Sequence, residues 1–290
     1  MPKKPFRNYT GRTEKGRRFI FRNSIFLCTF AVRIKSMRFM NIYLIIIAVL
    51  PVFVLAYIVY RQDKYEKEPL GQLVKAFFFG ALAIIPAALM ERFLVWFTPP
   101  IPILSGAYTG FVVAGCSEEL FKLLMLMLAV WKSRAFDEYM DGIVYASFVA
   151  LGFACFENIA YVFRQEAFAD ALVTGSVRAV LSVPGHFLFG VMMGYYFALA
   201  KFDPERRRHY LWRAFFIPML MHGTFDSLLM IPESMPAGAG VVSGVLFVVL
   251  LWFDIRMWKW GVRRIHHLQE LTKQQNYDRS HPFDGFTWYF

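Results

Sequence analysis

Two adjacent glutamates, Glu118 and Glu119, stand in the middle of a long apolar run, and Lys122 follows the first by four residues. On a helix, Glu118 and Lys122 share a face in the favourable acid-before-base order, and Glu119, three residues away, also reaches the amine. Further along, Glu157-Asn158 lies near the end of another apolar run, His186 follows Pro184-Gly185, and His222 precedes Asp226 by four residues. That last spacing puts imidazole and carboxylate on one helix face, where the acid orients the ring and favours one tautomer. A buried glutamate beside a second one can take a proton from water near neutral pH. Histidines and Asn158 can donate hydrogen bonds to a developing oxyanion. The same residues could instead bind a metal, with His186, His222 and Glu119 as candidate ligands, as two His and one Glu do at catalytic zinc. Spacing leaves both chemistries open: no cofactor, or a divalent metal such as zinc.

The elements that must position these groups are membrane helices. The chain has 290 residues, 57% of them apolar, with 32 Phe. This exceeds the usual share for a soluble domain and implies lipid as the solvent for much of the surface. A span needs about 20 apolar residues, and seven runs qualify: Phe39–Tyr60, Gly71–Phe97, Leu104–Val130, Met140–Phe163, Val177–Ala200, Leu211–Ile231 and Gly238–Trp258. The expected fold is an all-α, polytopic transmembrane bundle of about seven spans. Residues 39–258 would form the working domain, flanked by a basic tail at 1–38 and a polar tail at 259–290. The three cysteines, Cys28, Cys116 and Cys155, lie in apolar runs without paired spacing and read as buried hydrophobes.

A charge at the bilayer centre costs roughly 2.5–3.5 kcal/mol, so Glu118, Glu119 and Lys122 together require a polar cavity. The other polar groups divide. Glu91-Arg92 reads as an interfacial pair that snorkels outward. Asp141-Gly142 opens the fourth span. His186 follows a Pro-Gly pair expected to open its helix locally and form a cavity wall.

The net charge of +11 is concentrated in residues 1–38, which argues against nucleic-acid binding and for a basic segment near anionic lipid. Within that segment Ser24–Val32 is too short to span, and no cleavable signal peptide is evident. Loops at 61–70, 132–139 and 201–213 are rich in Lys and Arg, whereas 98–103, 164–176 and 232–237 are nearly devoid of them. By the positive-inside rule the first set and the C-terminus are cytoplasmic, and the N-terminus is outside. The basic segment then lies on the wrong side, a conflict that a start at Met37 or Met40 removes. In this orientation the polar groups of the third to sixth spans share a level from mid-depth towards the extracytoplasmic face, so they can converge on one pocket.

Taken together, Glu118-Glu119-x-x-Lys122, Phe153-x-x-x-Glu157-Asn158, His186 and His222-x-x-x-Asp226 resemble the four motifs of the PrsW intramembrane proteases. The segment Tyr60-Arg-Gln-Asp63-Lys-Tyr65-Glu66-Lys-Glu68-Pro69 resembles that family's early loop. The likeness covers roughly residues 40–255. It is also distantly similar to the CAAX prenyl-protease and bacteriocin-processing membrane proteases, in which a histidine often stands where Glu157 is found here. The resemblance implies a multi-pass protease of the bacterial cytoplasmic membrane. It further implies site-1 cleavage of a single-span membrane protein such as an anti-sigma factor, at or outside the outer face. Carried over by motif, Glu118 is the general base and Glu119 shares its proton. Lys122 tunes the pair, His186 and His222 bind water or the oxyanion, Asp226 orients His222, and Glu157 and Asn158 shape the pocket. His-Glu-x-x-His, Gly-x-Gly-Asp and Gly-x-Ser-Gly, the signatures of other intramembrane proteases, are missing from the sequence.

Two other classes fit the same residues. Intramembrane Glu, Lys, His and Asp also build proton relays in transporters and channels, although no inverted repeat of broken helices is evident. A non-catalytic membrane scaffold would tolerate Leu or Ala at these positions.

Overall fold

The structure, a computed structural model, describes residues 42–235 and 240–281. The basic tail at 1–38, its Ser24–Val32 run and the alternative starts at Met37 and Met40 lie outside the described residues. The described residues contain nine α-helices: α1 (Ile42–Gln62), α2 (Leu70–Leu94), α3 (Pro102–Tyr108), α4 (Ser117–Val130), α5 (Tyr139–Phe163), α6 (Phe168–Val180), α7 (Ser182–Phe202), α8 (Arg207–Ser234) and α9 (Gly240–Ser280). A π-helical segment, Thr109–Cys116, joins α3 to α4, so the chain is helical from Pro102 to Val130 without a break. Six helical stretches are individually long and apolar enough to cross a bilayer: α1, α2 with its short 3₁₀ end, α5, α6 with α7, α8 and α9. The third expected span is the α3–π–α4 run. The architecture is an all-α polytopic bundle.

Helix α5 is the centre. Most of its residues are buried, from Met140 to Val162, and it packs against α7, α2 and α1. A helix apolar on every face is stable only when enclosed, and α5 is enclosed by its neighbours. Its closest partner is α7, and small residues make the approach possible. Gly142 and Gly194 face each other so tightly that a Cβ on Gly194 would lie 2.3 Å from the Gly142 carbonyl oxygen. In a bilayer, where apolar association gains nothing from water release, such close packing of small residues is what holds helices together. The outer helices keep large apolar side chains exposed, among them Phe53, Leu89, Leu128, Val248 and Trp252, as a lipid-facing surface requires.

Two expectations differ from the observed elements. The fifth span does not run straight from Val177: α6 ends at Val180 and α7 begins at Ser182. The break therefore precedes Pro184, which sits in the first turn of α7, where its missing N–H leaves no helical bond unmade. The polar stretch from Lys259 continues α9 as helix to Ser280, and Leu268 and Thr272 on it are fully buried. Buried positions Met257, Gly261, Ile265, Leu268 and Thr272 recur at helical spacing along it.

Candidate active site

Five carboxylates, two imidazoles, one amine and one guanidinium are gathered between α2, α4, α5, α6, α7 and α8. The local backbone explains how the two halves meet. Gly115, just before α4, packs against α8, and a Cβ there would lie 3.0 Å from the amide nitrogen of Gly223. A Cβ on Gly223 would in turn meet the Phe111 ring at 2.2 Å. Glycine at both positions lets the π segment and α8 approach backbone to backbone. π-helical turns inside α-helices are rare and concentrate at functional sites; this one delivers Glu118 and Glu119 to the face opposite His222.

Lys122 is the hub. Its Nζ donates to Glu118 Oε2 at 3.0 Å and to Glu119 Oε1 at 2.8 Å, and it lies 3.1 Å from His186 Nδ1. Three acceptors match the three N–H donors of an ammonium. The ammonium also stands 4.1 Å from the centre of the Phe153 ring, a cation–π contact that accounts for the aromatic residue in that motif. Because His186 Nδ1 accepts from Lys122, Nε2 carries the ring proton and donates to Glu157 Oε2 at 2.8 Å. Glu157 Oε2 also accepts from Arg178 Nη2 at 2.6 Å.

His222 lies on the other side of the glutamates. Its Nδ1 is 2.8 Å from Glu119 Oε1, and its Nε2 is 3.3 Å from Asp226 Oδ2 and 4.0 Å from Glu118 Oε2. Asp226 therefore does contact the ring, but Glu119 is the closer partner. The two imidazoles cross at right angles with centroids 5.2 Å apart, and Phe189 stacks on His222 at 4.7 Å. Glu118, Glu119, His186 and His222 each offer a ligand atom within 4.8 Å of the others. The two glutamates are not equivalent: Glu119 is 0% exposed and Glu118 is 5% exposed.

Glu118, Glu119, Lys122, Glu157, His186, His222 and Asp226 thus meet in one place. Asn158 adjoins it but faces away. Its Nδ2 donates to the Ala48 carbonyl at 2.7 Å and its Oδ1 accepts from Arg178 Nε at 3.0 Å, so it ties α5 to α1 and α6 and steadies the guanidinium that pairs with Glu157. Two site residues were not foreseen. Arg178 is the second residue of the expected fifth span and lies in the last turn of α6; only its place among apolar residues could have marked it. Glu91, read as a snorkelling interfacial acid, is half-buried and close enough to Glu118, Glu157, His222 and Lys122 to interact with them electrostatically. Its position near the end of α2 supported the other reading.

Carboxylates and imidazoles enclosed by membrane helices form the class of site with which a protease reaches a peptide bond in apolar surroundings. Comparison with known proteins agrees. Residues 68–253 match the family described as PrsW family intramembrane metalloprotease. The chain is 38% identical over 215 residues to Protease PrsW of Clostridioides difficile (strain 630), covering 73% of this chain and 88% of that protein. It is 37% identical over 197 residues to Protease PrsW of Geobacillus kaustophilus (strain HTA426), covering 68% and 82% of the two chains. With Protease PrsW of Bacillus subtilis (strain 168) it shares 30% identity over 218 residues, or 74% and 91%. No solved structure matches. The chain belongs to the PrsW family of intramembrane proteases: it is a multi-pass bacterial membrane protein and a peptide-bond hydrolase.

Proposed function

We propose that this protease cuts a single-span protein of the bacterial cytoplasmic membrane, such as an anti-sigma factor, close to the extracytoplasmic face, with water activated by Glu118. The observation that carries the reading is the bonding of Lys122 to both glutamates and to His186, and of His222 to Glu119, which joins α4, α7 and α8 around one buried polar set.

The helix directions support this sidedness. His186 lies one turn from the start of α7, and Glu157 lies less than two turns from the end of α5. The end of α5 adjoins the Lys- and Arg-poor segment 164–176, and α6, which that segment enters, leads directly into α7; the positive-inside rule puts this segment outside. In the reaction, Glu118, the more accessible glutamate, takes a proton from water as the oxygen attacks the scissile carbonyl. Glu119 is held between Lys122 and His222 and keeps both cations in place. The His222 ring and the Lys122 ammonium stabilise the oxyanion. The proton then passes from Glu118 to the leaving amine as the carbon–nitrogen bond breaks.

A divalent metal fits this donor set on two observations. Glu119 Oε2 is buried with no hydrogen-bond partner. Among the described residues, Glu118, Glu119, Glu157 and Asp226 gather four carboxylates around the two permanently charged side chains that pair with them, Lys122 and Arg178, an excess of negative charge suited to a cation. His186, His222 and the two glutamates would hold it. When bound, such a metal supplies Lewis-acid polarisation of the carbonyl and of water.

The test is cleavage of candidate single-span substrates by the reconstituted protein. Glu118→Gln and Glu119→Gln are each expected to reduce the rate by about 10²–10⁴-fold, the usual worth of a positioned acid–base group. Undiminished cleavage by either variant rejects the assignment. Proton-coupled solute flux without proteolysis would reject the peptidase reading altogether.

A further inference from the structure

A second set of buried carboxylates lies at the other end of α5. Asp141 and Glu157 are sixteen residues apart on one helix, which puts the two clusters about 24 Å from each other. Asp63 follows the end of α1, Glu68 precedes α2, and Glu138 and Asp141 begin α5. All four are at least nine-tenths buried, Asp63 completely. Asp63, Glu138 and Asp141 each present an oxygen within 4.8 Å of the others.

Ordinary structural duties leave four of these eight oxygens unbonded. Asp141 Oδ2 accepts the backbone N–H of Glu138 at 2.6 Å and of Asp137 at 3.0 Å, capping α5. Glu138 Oε1 accepts from Asn276 Nδ2 at 2.6 Å, which fastens α9 to the same corner. Glu68 Oε2 accepts from the Tyr145 hydroxyl. Asp141 Oδ1, Glu138 Oε2 and both side-chain oxygens of Asp63 are buried and make no hydrogen bond within 3.5 Å, although the Glu68 backbone N–H and the Lys67 charge act on Asp63 and the Glu68 carboxyl acts on Asp141. Lys67 directs its ammonium to the backbone carbonyls of Tyr60 and Asp63, so its charge acts on the Asp63 carboxyl without a hydrogen bond to it. Burial, foremost, pushes the Asp63 carboxyl up to about 6 and the Glu68 carboxyl up to about 11.

We propose that Asp63, Glu138 and Asp141, with Glu68 alongside, bind a hard divalent cation of the Mg²⁺ or Ca²⁺ class at the end of the bundle opposite the protease site. All-oxygen carboxylate sets select such cations, in contrast to imidazole-containing sets. The ion ties the end of α1 to the start of α5 and, through Asn276, to α9. The site is independent of the peptidase reading and survives its failure.

The test uses the full chain in detergent, stripped with a chelator and titrated with Mg²⁺ and, separately, with Ca²⁺, by calorimetry and by thermal unfolding. Saturable binding with a rise in Tm is expected. Asp63→Asn and Glu138→Gln, which keep shape and remove charge, should each weaken binding roughly tenfold or more. The double variant His186→Ala with His222→Ala, which deletes both imidazoles of the other site, should bind like wild type. An unresponsive wild-type protein overturns the proposal, even if the variants fail to fold. Unchanged binding by both carboxamide variants, or lost binding by the imidazole double variant, overturns it as well.

Discussion

Glu157 offers the sharpest separation of catalytic positioning from mere structure. Its Oε2 holds the His186 Nε2 proton at 2.8 Å and the Arg178 guanidinium at 2.6 Å. Its side chain is 17% exposed and that of Arg178 13%, so solvent screens the pair weakly. Replacing Glu157 by Gln keeps an acceptor but removes the charge. A hydrogen bond to a charged group is worth about 1.5–3 kcal/mol and a neutral one about 0.5–1.5. Two such bonds each weakened by about 1 kcal/mol amount to about 2 kcal/mol, or roughly a thirtyfold fall in rate if the loss is felt in the transition state. Because Glu157 acts through His186, kcat should fall while KM for a single-span substrate stays near wild type. Glu157→Ala is harsher: it leaves Arg178 buried and unpaired, at a cost of about 3–5 kcal/mol in stability. Adding Arg178→Met should restore much of the thermal stability and leave cleavage impaired, since the His186 ring is still unanchored. Steady-state cleavage and thermal unfolding of the four proteins in one detergent decide the matter. An unchanged kcat in Glu157→Gln, or full activity in the double variant, refutes the reasoning.

Lys122→Met removes the ammonium shared by Glu118, Glu119 and His186; cleavage should be lost and stability should drop by about 3–5 kcal/mol, read by thermal unfolding. Gly194→Ala forces a Cβ to within 2.3 Å of the Gly142 carbonyl oxygen and should destabilise the protein by about 1–3 kcal/mol. Gly71→Ala, where a Cβ meets nothing within 4 Å, should be neutral or stabilising by up to about 1 kcal/mol in the same assay. Treatment with a zinc chelator should abolish cleavage and added zinc should restore it; unaltered cleavage after metal analysis shows the protein to be metal-free would leave the carboxylates as sole activators of water.

The sequence made the site's core legible because the cost of charge in hydrocarbon leaves few innocent explanations. Glu118, Glu119 and Lys122 in one apolar run had to share a cavity, and the fourfold spacing of His222 and Asp226 had to place them on one face. Periodicity cannot say which way a residue near a helix end turns. Glu91 and Arg178 both sit within a turn or two of an end, where snorkelling and burial are equally consistent with sequence, and both turn inward. The partners of Asn158 were hidden for a related reason. Its neighbour Glu157 is rotated by about 100° on the same helix, so adjacency in sequence sends the two side chains to different partners. The length of α9 was hidden because hydropathy detects lipid, not helix: beyond Trp258 the buried positions continue at helical spacing while polar residues fill the rest.

The two carboxylate clusters pose one electrostatic problem at the two ends of α5. An unpaired buried carboxylate is costly enough that a protein ordinarily protonates it, pairs it or places it on a metal. The protease site pairs part of its charge with Lys122 and Arg178, yet Glu119 Oε2 remains unpartnered. At the opposite end no basic side chain bonds the carboxylates of Asp63, Glu68, Glu138 or Asp141 among the described residues, and four of their oxygens are orphaned. Protons alone can neutralise such a cluster, but a proton satisfies one oxygen at a time, whereas a cation gathers several that already face one another. The convergence of orphaned oxygens from two separate stretches of chain, at Asp63 and at Glu138–Asp141, favours the cation, and the proposed ion would anchor at one end the helix that holds Glu157 near the other.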